Sequence, residues 1–168
     1  TSARLPWLLI GMIGGIGNSM ILGNFDSTFA AHPEMALYIP LIGGTGGNVG
    51  TQSSALVVQG LANSSLNAEN TFKQVLKESV VALINATIIS MLVYIYNFIR
   101  FGATATVSYS VSISLFAVVM FASIFGTLVP MTLEKLKIDP AIATGPFISI
   151  TNDIIGMLMY MGITVLLS

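Results

Sequence analysis

Cysteine is absent from the 168 residues, and charge is scarce: six Lys and Arg with seven Asp and Glu make up only 8% of the chain. Without cysteine there is neither a disulfide scaffold nor a thiolate metal site. A soluble domain carries about 25% charged residues. With 54% hydrophobic residues and a mean hydropathy of +0.87, thirteen charges cannot cover a water-facing surface. The same figures exclude a disordered segment, and a net charge of −1 leaves no basic face for nucleic acid. No nucleophile–base pair and no His-containing metal motif falls in an apolar window, so no enzyme is expected. What is there in abundance is long uncharged sequence, and the expectation is an all-α integral membrane protein embedded in a lipid bilayer.

The few charges divide the chain. None lies between Arg4 and Asp26, Glu34 and Glu69, Glu78 and Arg100, or Arg100 and Glu134, and beyond Pro140 the only one is Asp153. A hydrocarbon core about 30 Å thick takes roughly 20 helical residues. The windows therefore predict five transmembrane helices, near 5–24, 35–60, 79–99, 107–130 and 141–167, in one ion-conducting domain over 1–168. Barrel strands are excluded by continuous runs such as Val80 to Ile84. One stretch does alternate: Ser108, Ser110, Ser112 and Ser114 interleave with Val107, Tyr109, Val111, Ile113 and Leu115, and reads as an extracellular lead-in to the fourth helix. Residues Glu69 to Glu78 read as an interfacial helix continuing into the third span. An N-in, C-out orientation puts Arg4, Lys73, Lys77, Lys135 and Lys137 in the cytoplasm and only Arg100 outside, as the positive-inside rule requires. A multi-pass protein of the cell membrane follows. Trp7 reads as an interfacial anchor, His32 as a solvated loop residue and the nine Met, Met157, Met159 and Met161 among them, as packing or lipid-facing residues.

Two of these helices carry unusual chemistry. In the second, Thr45, Asn48, Gln52, Ala55 and Gln59 recur at helical spacing, with Thr51 and Ser54 beside them. The pairs Gly43/Gly47 and Gly46/Gly50 have the small-xxx-small spacing that lets helices approach closely, and Pro40 frees the carbonyl of Ala36. The seam is either packing glue or a polar wall along an aqueous path. In the fifth, Asp153 falls near the bilayer midplane with no Lys or Arg in any span to neutralise it. A carboxylate there costs several kcal/mol unless it meets water, a donor or a cation. Gly145, Ser149, Gly156 and Tyr160 share its face, Thr151 and Asn152 adjoin it, and Pro146 breaks the helix after Gly145. Carbonyls freed at such a break are hard ligands suited to Mg²⁺ or Ca²⁺. A two-fold dimer would bring two Asp153 carboxylates together, an arrangement that asks for a divalent cation between them. Na⁺ and H⁺ also suit a single carboxylate.

These segments resemble the transmembrane domain of the MgtE family of magnesium channels, related to the solute carrier 41 proteins. The likeness rests on Arg4-Leu5-Pro6-Trp7-Leu8, on Ile39-Pro40 with Gly46-Gly47-Asn48-Val49-Gly50-Thr51-Gln52, on Gly60-Leu61-Ala62, on Gly126-Thr127-Leu128-Val129-Pro130, and on Asp139-Pro140-Ala141 through Gly145-Pro146-Phe147 to Asp153. It departs at Gln59, where members often carry Arg, and the family's cytosolic N-terminal and CBS regulatory domains have no counterpart here. The resemblance implies a homodimer of five-helix protomers that passes divalent cations, Mg²⁺ first, through a pore at the two-fold axis. It implies metal contacts from Asp153 and from backbone oxygens of the same helix, with Gly145 and Ser149 nearby. Thr45, Asn48, Thr51, Gln52 and Asn152 would line the path. Asp139 would serve a second, regulatory cation site, or simply cap a helix that starts at Pro140. The competing expectations are a Na⁺- or H⁺-coupled exchanger and a non-transporting scaffold whose Gly and Asp residues serve packing alone.

Overall fold

A computed structural model describes residues 5–25, 30, 33–62, 71–101, 106–137 and 146–167. Among these residues the fold is all-helical, with five long helices: α1 (Leu5–Gly23), α2 (Ile39–Ala62), α3 (Thr71–Phe101), α4 (Thr106–Lys135) and α5 (Pro146–Leu167). A 3-10 turn, Pro33–Tyr38, leads into α2. The spans Phe72–Arg100, Ser108–Lys135 and Ile148–Leu167 are long and apolar enough to cross a bilayer. The apolar part of α1, Leu8–Gly23, is shorter, and α2 is diluted by its glycines and amides. The chain is a multi-pass membrane protein.

Helix α4 is the centre. It packs against α2, α3 and α5, and 56% of its membrane window is buried, against 11% for α3. Small residues permit this: Ser108, Ser110, Ser114, Ala122, Gly126 and Thr127 let three neighbours close in without large side chains between them. A helix with more than half of its membrane window buried needs internal partners for its buried hydroxyls. Ser112 donates to the Ser108 carbonyl at 3.1 Å, Ser108 to the Asn97 carbonyl at 3.4 Å, and Thr164 of α5 reaches Ser110 at 3.3 Å. This corrects the expected extracellular lead-in. The alternating serines lie in the first turns of α4, buried towards α3 and α5, while Ile113 between them is exposed.

The other helices take their places around this column. As expected, Glu78 and the residues before it continue into the third span without a break, giving a helix of 31 residues and about 46 Å. Its outer face (Leu83, Ile84, Ile88, Leu92, Ile95 and Ile99) is exposed for lipid. Helix α1 packs on α5, where Gly14 lets the backbone meet Ile150, and leaves Leu8, Met12, Ile13, Ile16 and Met20 exposed. Pro40 falls in the first turn of α2, just after the 3-10 turn. It therefore starts the helix instead of interrupting it, as the first turn tolerates a residue without an N–H. At that end Tyr38 is buried and donates to the Asn97 side chain, tying the entry of α2 to α3.

Candidate cation-binding cavity

Helices α1, α2 and α5 enclose a cleft of about 670 Å³. At about 30 Å³ per water it has room for an ion with its whole hydration shell. Helix α2 supplies the longest wall. Asn48, Thr51 and Gln52 project polar groups into it, and Gly43, Gly44 and Gly47 leave the helix backbone uncovered beside them. These positions recur every three or four residues from Ile39 to Ala55, about 24 Å of helix. Helix α5 contributes Ser149, Asp153 and Met157, one turn apart from each other, and α1 contributes Asn18.

The rotation of α2 separates the two readings of its glycines. Gly46 and Gly50 are buried and serve packing. A Cβ on Gly46 would lie 2.7 Å from a Val118 methyl, and one on Gly50 would overlap the Asn152 amide. Gly43 faces the cavity instead, where a Cβ would sit 3.6 Å from Asp153 Oδ1. So one face is glue and the next is a polar wall, both on one helix.

Asp153 is half-buried, between Ser149 and Met157 on the cavity side of α5. The other polar groups that line the cleft are neutral: the hydroxyls of Ser149 and Thr51, the amides of Asn18, Asn48 and Gln52, and glycine backbone, with Gly43 beside the Asp153 carboxylate. Among the described residues no three His, Cys, Asp or Glu gather into a metal-binding group. One carboxylate with neutral oxygens is a poor cage for a bare Mg²⁺, which demands octahedral oxygen ligands and sheds water reluctantly. A hydrated ion fits better, since its waters can donate to the carboxylate and to the neutral oxygens along the cleft.

Not every expected residue reaches the cavity. Thr45 is half-exposed at the far edge of the α2 face and Gln59 lies beyond its end; neither lines it. Asn152 is 1% exposed and turned into the α2–α5 contact, where neither amide atom has a hydrogen-bond partner. The stripe of small residues on α5 also divides: Ser149 faces the cavity, while Gly156 packs on Val118 and Tyr160 is buried in the core. Met157, expected to be plain packing, is both core and cavity wall. Asp139, Gly145 and His32 lie outside the described residues, as does the side chain of Trp7. Asn18 was not anticipated. The signal available was a lone amide, next to Ser19, in a mostly apolar, glycine-rich first helix.

Comparison with known proteins follows the same residues. The MgtE family profile, described as a divalent cation transporter, matches residues 39–163, which contain α2 to most of α5. The chain is 34% identical over 160 residues to a magnesium transporter MgtE of Bacillus subtilis, covering 95% of this chain and 35% of that protein. Similar likenesses hold to the magnesium transporters MgtE of Thermus thermophilus (33% over 165 residues, 98% of this chain and 36% of that protein) and Enterococcus faecalis (30% over 162 residues, 96% and 36%). The chain thus spans about a third of the length of these relatives.

Proposed function

The chain belongs to the MgtE family of divalent cation transporters, and on that premise we propose that it forms a dimeric pore through which hydrated Mg²⁺ passes down its electrochemical gradient into the cytoplasm. The observation that carries the proposal is Asp153: a carboxylate within a membrane-spanning helix, without a cationic neighbour on the cavity wall, set in a cleft whose other polar groups are neutral oxygens and amides. The relatives named as magnesium transporters supply the ion. Asp153 concentrates the cation, and the hydroxyls and amides of Ser149, Asn48, Thr51 and Gln52 accept hydrogen bonds from its waters. Because the ion is not stripped, it leaves as readily as it enters.

The cleft is enclosed by three helices only and opens on one side. A second copy across a two-fold axis would close it and double the carboxylate, with the divalent ion relieving their repulsion. In this arrangement all five helices cross the bilayer, N-terminus inside, and Asp139, ahead of the fifth helix, serves a second, regulatory cation site. Mg²⁺ uptake into proteoliposomes tests the proposal. Uptake is expected without any Na⁺ or pH gradient and is expected to fall at least tenfold in Asp153→Asn. Uptake that requires either gradient would establish a coupled exchanger, and unchanged uptake by Asp153→Asn would leave the chain as a scaffold.

A further inference from the structure

We propose that Gly43 of α2 is a specificity-determining residue: the side chain it lacks is the space beside the Asp153 carboxylate in which a water of the hydrated ion sits. The inference rests on the reading of the cavity as a cation path, and deepens it.

Geometry singles out this glycine. Gly43, Gly44 and Gly47 all line the cleft. A Cβ on Gly44 or Gly47 would meet nothing within 4 Å, whereas one on Gly43 would sit 3.6 Å from Asp153 Oδ1 and 4.0 Å from the Met157 methyl. Asp153 and Met157 are four residues apart on one face of α5, and the α2 backbone at Gly43 stands across from both. Gly43 and Asp153 are each only partly buried and both line the cleft, so the gap between them opens into it. Packing does not demand the glycine. At these distances an added methyl is in ordinary contact, unlike one on Gly46 or Gly50, which would overlap Val118 or Asn152. Glycine inside a helix is disfavoured relative to Ala, so one that packing does not require calls for another reason.

The reason that fits is room for water. A water hydrogen-bonded to Oδ1 lies about 2.8 Å away. A methyl 3.6 Å from the same oxygen would take the water's place and leave that side of the carboxylate facing hydrocarbon. Mg²⁺ holds its octahedral waters at a fixed distance and sheds them reluctantly, so it loses its seat when the space is filled. Ca²⁺ has a looser, more variable shell and meets the carboxylate with fewer waters at less cost. The clearance at Gly43 therefore favours the ion that arrives fully hydrated.

Uptake of Mg²⁺ and of Ca²⁺ into proteoliposomes tests this, with wild type, Gly43→Ala, Gly162→Ala and Asp153→Asn side by side. Gly162 shares α5 with Asp153 but lies off the cleft, with nothing within 4 Å of an added Cβ, and so controls for the effect of Ala on a helix. The expected result in Gly43→Ala is Mg²⁺ uptake lowered at least tenfold and a Ca²⁺-to-Mg²⁺ uptake ratio raised at least threefold, with a thermal midpoint in detergent no lower than that of wild type. Mg²⁺ uptake by Gly43→Ala equal to that of Gly162→Ala overturns the inference. So does a loss of both fluxes in step, or a loss accompanied by a lower midpoint, since either marks a structural role. Asp153→Asn separates the two claims: if it transports as wild type does, the cation path itself is refuted, whereas its loss beside a Gly43→Ala protein that keeps the wild-type ratio refutes only the role of Gly43.

Discussion

The helix crossing at Gly50 and Gly126 sets where the cavity wall stands, and adding one methyl there should loosen it. In Gly126→Ala the new Cβ would lie 2.5 Å from the Gly50 carbonyl oxygen and 3.2 Å from its Cα and carbonyl carbon. All three are backbone atoms, so no rotamer change relieves the overlap. Ordinary contact begins at 3.4 Å, and α2 and α4 must separate by about 0.9 Å, the difference between those distances. A gap of that size forfeits a quarter to a half of each dispersion contact it opens. If the crossing holds about 40 heavy-atom pairs at 0.1–0.2 kcal/mol, as one buried Leu does, the loss is about 1–4 kcal/mol. The better helix propensity of Ala returns up to about 1 kcal/mol. The net expectation is a destabilisation of up to about 3 kcal/mol against wild type, and of about 1–4 kcal/mol against a glycine replaced where only the propensity changes. Reversible denaturation of the detergent-solubilised protein measures it. Gly17→Ala is the control, since a Cβ there meets nothing within 4 Å and only the propensity gain should appear. A Gly126→Ala protein as stable as Gly17→Ala would refute the close crossing.

Two further substitutions probe the buried polar groups. Asn152→Leu replaces an amide that is buried against Gly50 without a hydrogen-bond partner, so it should stabilise the fold by about 1–2 kcal/mol in the same denaturation assay; a loss of stability would mean that the amide is satisfied. Tyr38→Phe removes the donor to the Asn97 side chain, whose amide nitrogen already has no partner, and should cost about 1–3 kcal/mol and speed hydrogen exchange at the start of α2; unaltered exchange there would show that the pair does not hold that end.

Charge spacing alone made most of the helices legible. Each window of low charge holds the apolar middle of one long helix, while α3 and α4 run on past their windows to take in charges at their ends and α5 carries Asp153. What the spacing could not give was rotation. A seam at helical spacing names a face, but which neighbour that face meets depends on packing, and so Thr45 and Asn152 fall off the cavity while Met157 falls on it. The serines of α4 misled for a related reason. The four serines are buried while Ile113 between them is 46% exposed, so the alternation follows contacts with α3 and α5 within a helix. Asn18 was obscured because its helix offers no pattern: apart from Ser19, glycines and apolar residues flank it, and only the packing of the helices puts it at the cleft. Asp153 was plain from the sequence, since nothing else charged lies beyond Pro140.

The central claim is that Asp153 holds a divalent ion through water, and Mn²⁺ can be located directly. Crystals of the protein soaked in Mn²⁺ should show an anomalous peak in the cleft between α1, α2 and α5, about 4 Å from the Asp153 carboxylate. That distance is one metal–water bond folded back through one hydrogen bond, where direct ligation gives about 2.1 Å. Anomalous density only elsewhere, with Asp153 sealed against its neighbours and no solvent beside it, would contradict the account.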